Sequence, residues 1–381
     1  MNRRDFIRWS ALSGLSLAGL PSVSFAAANT DRRFIFIIQR GAADGLNTVI
    51  PYADSAYKKL RGALTINVNQ ATKLDGIFAL HPSLKATAKL YQAKQAMFVH
   101  AVASPYRSRS HFDAQNVLET GGKAAYQFKD GWMNRMLHLL PPAQNEAIAI
   151  ASSIPMALRG KMNVNAYAPS NLRDAPDDLL IRVGELYSHD PLLNSLWTSA
   201  MEANDLAGDT KTKLNPAGIG KLTAQFLNKV NGPRIAMIES GGWDTHSAQN
   251  NRLKRQLSSL DTLINALQQQ LGKNWQKTTI LVATEFGRTA AANGTGGTDH
   301  GTASVAMLMG GDLNGGRVLT DWPGLNQNNL FQGRDLNPTL NLNTLISSTL
   351  GERFGLDSEK VASTVFPSTS SGKLMSGLIN T

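Results

Sequence analysis

Seven histidines are all this chain contains, and two of them stand in segments whose residue types suit a metal ion. The first segment is Ile235-Ala236-Met237-Ile238-Glu239-Ser240-Gly241-Gly242-Trp243-Asp244-Thr245-His246. The second runs from Ile280-Leu281-Val282-Ala283-Thr284-Glu285-Phe286-Gly287-Arg288-Thr289 to Gly296-Gly297-Thr298-Asp299-His300-Gly301. In each, an apolar run reads as a buried strand, and glycines, an Asp and a His follow it. Ligands collect beyond the carboxyl ends of strands in open α/β sheets. Carboxylate and imidazole together suit zinc and its neighbours. An Asp-x-His triplet or an Asp-His pair alone is weak; the two after buried strands point to a metal site.

Two more strand ends carry chemistry. Phe34-Ile35-Phe36-Ile37-Ile38 leads into Gln39-Arg40-Gly41-Ala42-Ala43-Asp44-Gly45, which puts Asp44 just past a strand. Ala96 to Val102 leads through Ser104-Pro105-Tyr106-Arg107-Ser108-Arg109 to Ser110-His111-Phe112-Asp113. Ser110 fits a helix N-cap with a carboxylate three residues on. The same place suits a nucleophile, because the positive end of a helix dipole favours an alkoxide and a bound oxyanion. Arg107 and Arg109 have the spacing to clamp phosphate or sulfate. Arg40 reads as a structural or anion-contacting residue. Glu285, directly after a buried strand, must be solvated, paired or bound to metal to offset its desolvation. Among the other histidines, His81 and His138 read as core or surface residues, His189 as solvated, and His100 as a support for the site.

The elements that position these residues alternate between strand and helix. The pattern predicts helices over 82–95, 111–119, 131–140, 218–226, 247–271 and 340–350, with strands at 34–38, 96–102, 147–151, 234–239, 279–283 and 304–309. The leucines of 247–271 (Leu253, Leu257, Leu260, Leu263, Leu267 and Leu271) share one face and read as core. Such alternation implies an α/β fold with a mostly parallel central sheet sandwiched by helices. Residues 152–215, polar and punctuated by Pro, read as a small insertion or cap within a single domain over 27–381.

The N-terminus reads as an address. Arg3-Arg4 before a modest apolar stretch resembles a twin-arginine signal, with cleavage after Ala26 or, as the near alternative, Ala28. That implies a periplasmic or secreted protein, exported folded. The chain has no Cys, which excludes disulfides and thiolate ligands, so any metal must be held by His, carboxylate, hydroxyl or carbonyl. The net charge of +10 is spread along the chain without the basic helix or aromatic-basic alternation of a nucleic-acid binder. No apolar run after the signal has membrane-spanning length.

As a set, Arg40-Gly41-Ala42-Ala43-Asp44-Gly45-Leu46-Asn47, Arg109-Ser110-His111-Phe112-Asp113-Ala114-Gln115, Gly241-Gly242-Trp243-Asp244-Thr245-His246, Thr284-Glu285-Phe286-Gly287-Arg288-Thr289 and Thr298-Asp299-His300-Gly301 resemble the exported bacterial family known as DUF1501. That family in turn resembles, distantly, the alkaline phosphatase and sulfatase superfamily. The resemblance implies divalent metal at the strand ends, held by Asp44, Asp244, His246, Glu285, Asp299 and His300. It implies Ser110 as nucleophile, with Arg109 on the nonbridging oxygens. Arg40, Arg107, His111 and Arg288 would be substrate-side residues. Zinc leads among the metals, with Mn, Mg or Ca as alternatives. The substrate would be an anionic small-molecule or polymer ester. Three features depart from the superfamily pattern: Thr245 alone separates Asp244 from His246, the Asp299-His300 pair comes late, and no His follows His300. They leave a single metal or a degenerate site in place of two zincs, and keep open a non-catalytic envelope binding or assembly role. Without Cys, a formylglycine mechanism is excluded.

Overall fold

The computed structural model describes residues 31–141, 146–168, 177–207, 215–368 and 372–380. The twin-arginine segment and both cleavage positions lie outside these residues. Among the described residues twelve strands form two sheets: β1 (Arg33–Gln39), β2 (Val49–Ile50), β3 (Thr72–Lys73), β4 (Ala79–Leu80), β5 (Ala96–Ala103), β6 (Ala147–Ile150), β7 (Val164–Ala166), β8 (Ile235–Ser240), β9 (Thr278–Thr284), β10 (Ser304–Met309), β11 (Val318–Leu319) and β12 (Leu340–Asn341). The large sheet runs β11-β5-β10-β9-β1-β8-β6-β7, with β12 also on β5, and a small antiparallel sheet runs β2-β4-β3. Among the described strands of the large sheet only β10 pairs antiparallel, against β5 and β9. The mostly parallel α/β architecture expected from the sequence is therefore present.

β1 shows why the sheet is central. Phe34 through Ile38 are wholly buried, and successive side chains of a strand point to opposite faces. Ile35 and Ile37 join the cluster containing Leu257, Leu260 and Ile264 of the helix Gln249–Leu271. Phe34, Phe36 and Ile38 join the cluster on the other face with Trp132, Met136, Leu345 and Ile346. Phe36 meets the Trp132 ring edge-on, with centroids 5.3 Å apart. Phe36→Ala would empty that contact at a cost of about 3–5 kcal/mol.

The sequence pattern missed β11, β12 and the helix Ser358–Val365. Among its described residues, 152–215 carries regular elements. That stretch gives the large sheet its edge strand β7, parallel to β6, and two helices, Asp177–Tyr187 and Pro191–Ala207. Among the described residues no helix is long and apolar enough to cross a membrane.

Two glycines bring the strand-end loops together. Gly41, after β1, has φ +118°, and a Cβ there would lie 2.6 Å from the Asp244 amide nitrogen. A Cβ on Gly297 would lie 2.3 Å from the His246 carbonyl carbon. At both places backbone packs on backbone, so only glycine fits.

Candidate metal centre

His111, Asp244 and His300 converge, each offering a ligand atom within 4.8 Å of the others. Their positions follow from local chain geometry. His111 opens the helix His111–Thr120, whose N-cap is Ser110. Asp244 and His246 lie in the loop after β8, and His300 reaches the same place from the loop between β9 and β10. His111 Nε2 is 2.9 Å from His300 Nε2, which is 3.0 Å from His246 Nε2. Asp244 completes the group: Oδ1 is 3.1 Å from His246 Nε2 and 3.4 Å from His300 Nε2, and Oδ2 is 3.5 Å from His111 Nε2.

The outer nitrogen of each ring identifies what the inner one can do. His111 Nδ1 faces Glu285 Oε1 at 2.8 Å, His246 Nδ1 faces Asp299 Oδ1 at 3.1 Å, and His300 Nδ1 faces the Arg109 carbonyl at 3.1 Å. A carbonyl or ionised carboxylate only accepts, so each Nδ1 carries a proton and donates it. In the neutral rings all three Nε2 atoms are then bare lone pairs, crowded together beside a carboxylate. Only a cation relieves that crowding. A proton does so in part. Hydrogen bonding to Glu285 holds His111 above its ordinary pKa despite burial. Burial, with the charges of His111 and Arg288, pushes His300 below its own.

These residues could also hold a divalent metal ion. Zn–N bonds of about 2.0–2.1 Å at tetrahedral angles separate ligand nitrogens by about 3.3–3.4 Å, a few tenths wider than His300 Nε2 stands from each of the other two. Metal-bound histidines almost always donate their other ring N–H to a carboxylate or carbonyl, as all three do in this group.

The remaining predicted residues support this group or stand apart from it. Glu285, expected as a ligand, is wholly buried behind His111, where it also accepts from the Gly41 amide at 2.8 Å and Gln115 Nε2 at 3.1 Å. Burial opposes its charge, and these donors outweigh burial to hold its carboxyl below the usual range. Asp299 backs His246 and accepts from Asn293 Nδ2 at 3.0 Å. Arg288, expected beside substrate, is 1% exposed and donates through Nη1 to Asp244 Oδ1 at 2.6 Å. That bond and its charge overcome burial and hold Asp244 ionised below the usual range.

Asp44 differs from expectation most. Its oxygens accept from the amides of Leu46 and Asn47, pair with buried Arg61, and accept from Gln249. It does not join the convergent ligand atoms.

The expected anion-binding arginines are also occupied. Arg40 pairs with Glu119 at 2.8 Å and with Glu239. Arg107 donates to the Ser104 and Tyr106 carbonyls. Arg109 Nε donates to buried Asp335 at 2.8 Å. With φ +60°, Arg109 also turns its own carbonyl toward His300. Ser110 is partly exposed, and its hydroxyl makes no capping bond, so the capping-box reading does not hold. His100 is not a support of the site. It is wholly buried, with Nε2 2.9 Å from the Val49 carbonyl, between Phe78 and Trp322. Arg61, Gln249 and Asp335 were invisible in the motifs, and Gln115, the last residue of one of them, was given no role; an isolated polar residue far along the chain gives no spacing signal.

The fold and the His/Asp group define a mostly parallel α/β protein with a candidate metal centre at its strand ends. Residues 31–365 match the family described as "Protein of unknown function (DUF1501)", and the chain belongs to that family. No curated protein matches it. Among solved structures the chain is similar to the C-terminal periplasmic domain of EcEptC from Escherichia coli in complex with Zn, at 10% identity and TM-score 0.45, over 93% of this chain and 94% of that one. It is also similar to alkaline phosphatase from the Antarctic bacterium TAB5, at 10% identity and TM-score 0.36, over 90% and 100% of the two chains. A third is phosphonate monoester hydrolase of Agrobacterium radiobacter, at 10% identity and TM-score 0.36, over 86% and 74%.

Proposed function

We propose that this protein is an exported, metal-dependent hydrolase of phosphate or sulfate esters, with one divalent ion, zinc first, at His111, Asp244, His246 and His300. The observation that carries the reading is the set of three inward Nε2 atoms, each ring having its Nδ1 committed to an acceptor. When bound, such an ion supplies Lewis-acid stabilisation of developing oxyanion charge and eases ionisation of a nearby hydroxyl. Ser110 is the nucleophile. Its oxygen, left out of the helix cap, bonds to phosphorus or sulfur as the ester's alkoxy oxygen leaves as the alcohol with the serine proton, and water then cleaves the new serine ester to release the acid and restore the hydroxyl. The N-terminus of the helix His111–Thr120 favours the negative charge that develops there. Glu285, Asp299 and the Arg109 carbonyl hold the three rings with their lone pairs inward. Arg288 keeps Asp244 ionised and aimed.

One observation favours a second reading, a non-catalytic envelope binding protein that keeps the ion for stability. Arg40, Arg107, Arg109 and Arg288 are all engaged by protein acceptors, so none is ready to take a substrate oxyanion.

Elemental analysis of protein purified without affinity-tag metal, beside Asp244→Ala and His300→Ala, tests the centre. Expected is one equivalent in the wild type and none in either variant. Turnover of aryl phosphate and aryl sulfate esters then separates the two readings. Activity lost in Ser110→Ala, with metal retained, supports the hydrolase. Metal without turnover supports the binding protein, and no metal under any loading condition sinks the centre.

A further inference from the structure

Beneath the histidines lies a buried polar assembly that links both ligand-bearing loops. Gln249, Thr245 and Thr298 are wholly buried. Gln249 Oε1 accepts from Thr245 Oγ at 3.0 Å and from Thr298 Oγ at 2.6 Å. Thr245 sits between Asp244 and His246, and Thr298 immediately precedes Asp299-His300. The Gln249 amide nitrogen of the backbone donates to the Gly296 carbonyl at 3.0 Å, and the Thr298 amide donates to the Thr245 carbonyl at 3.2 Å. Thr298 Oγ also accepts from Arg288 Nε at 3.1 Å, and Arg288 holds Asp244.

The orientation of the Gln249 side chain is fixed by charge. Its Nε2 faces Asp44 Oδ2, a carboxylate oxygen that only accepts. Arg61, wholly buried, pairs with both oxygens of Asp44, Nη2 to Oδ1 at 3.0 Å. With nitrogen committed to Asp44, the amide oxygen must face the two threonines. Both hydroxyls then point their protons inward, and Thr298 presents its lone pair to Arg288.

We infer that Gln249, oriented by the Asp44–Arg61 pair, is the positioning residue that clamps the Asp244-Thr245-His246 loop to the Thr298-Asp299-His300 loop and so sets the spacing of the metal ligands. The inference rests on the metal-centre reading above. It gives Asp44 a role as an anchor one layer below the ion. Partners that fix metal ligands are worth about 10–100-fold in metal affinity, and the clamp acts on ligands from both loops.

The test compares wild type, Gln249→Leu, Thr298→Val and Leu257→Ala. Leu257 lies on the same helix, wholly buried against the sheet, and serves as a control for general destabilisation. Two quantities are read on folded protein well below its melting temperature. One is backbone amide exchange over 241–248 and 290–301 in the metal-free protein; the other is zinc affinity by competition with a chromophoric chelator. Expected for Gln249→Leu is faster exchange in both loops together, with zinc affinity weakened about 10–100-fold. Thr298→Val should show a smaller version of both. Leu257→Ala should lower the melting temperature without changing loop exchange or zinc affinity. Unchanged loop exchange in Gln249→Leu, or zinc affinity weakened equally in Leu257→Ala, overturns the clamp. Zinc binding absent from the wild type, with loop exchange still responding to Gln249→Leu, overturns the metal reading and leaves the clamp a device for loop order.

Discussion

Asp44 and Asp244 occupy matching places and have opposite fates. Each follows a glycine-bearing loop past the carboxyl end of a parallel strand, β1 for one and its neighbour β8 for the other. Asp44 is 1% exposed, and its oxygens are taken by two amides, Arg61 and Gln249. The Asp244 side chain is 42% exposed; one guanidinium holds it, and three imidazoles face its remaining lone pairs. A strand end makes a carboxylate available. The lone pairs its neighbours leave free decide whether it can take a metal.

The contrast can be broken from either side. The largest effect belongs to the open side, where His300→Ala should reduce bound metal from one equivalent to background while far-UV circular dichroism stays unchanged. Next is the sealed side. Arg61→Met strands a buried carboxylate and should cost about 3–5 kcal/mol of stability, read by urea denaturation; an unchanged midpoint would mean that Asp44 is not sealed by its partner.

A pH titration of stability sharpens the difference further. Burial pushes His81 and His100 down to about 4, with Asp44 opposing it for both. Their folded values lie below the unfolded 6.5, so the unfolded chain binds more protons between those limits. Stability from these groups is full above about pH 6.5, falls as pH drops toward about 4, and then levels. Each contributes on the order of 3 kcal/mol across that window, at about 1.4 kcal/mol per unit. His100→Gln should flatten the slope over the same range. The smallest effect is that of Glu285→Gln, which weakens the acceptor behind His111 and should lower metal affinity about 10-fold or somewhat more.

The central strands of the large sheet were legible because strands buried on both faces are continuous apolar runs; β10 matches its expected bounds, and β1, β5, β8 and β9 lie within about a residue of theirs. The helix Gln249–Leu271 was legible from its leucine face. β11 and β12, two residues each, carry no periodicity to read. Within the site, Asp244, His246 and His300 stood out by type and by glycine context. His111 did too, but was assigned to substrate, because its Nδ1–H partner Glu285 lies 174 residues away. The engagement of Asp44 and Arg109 by other side chains was hidden for the same reason. Their partners, Arg61 and Asp335, sit at separations that mark no motif, and only the fold brings them together.

The backbone of Arg109 puts two demands on one position. Its left-handed φ, uncommon for a residue with a side chain, turns a carbonyl to His300, while its guanidinium is tied to Asp335. Glycine would meet the first demand and abandon the second; lysine keeps charge but loses the planar fork; β-branched residues fail the first outright. A saturation library at this codon should therefore return a nearly empty set of functional replacements, with the narrowness imposed by two independent filters whose intersection is close to arginine alone.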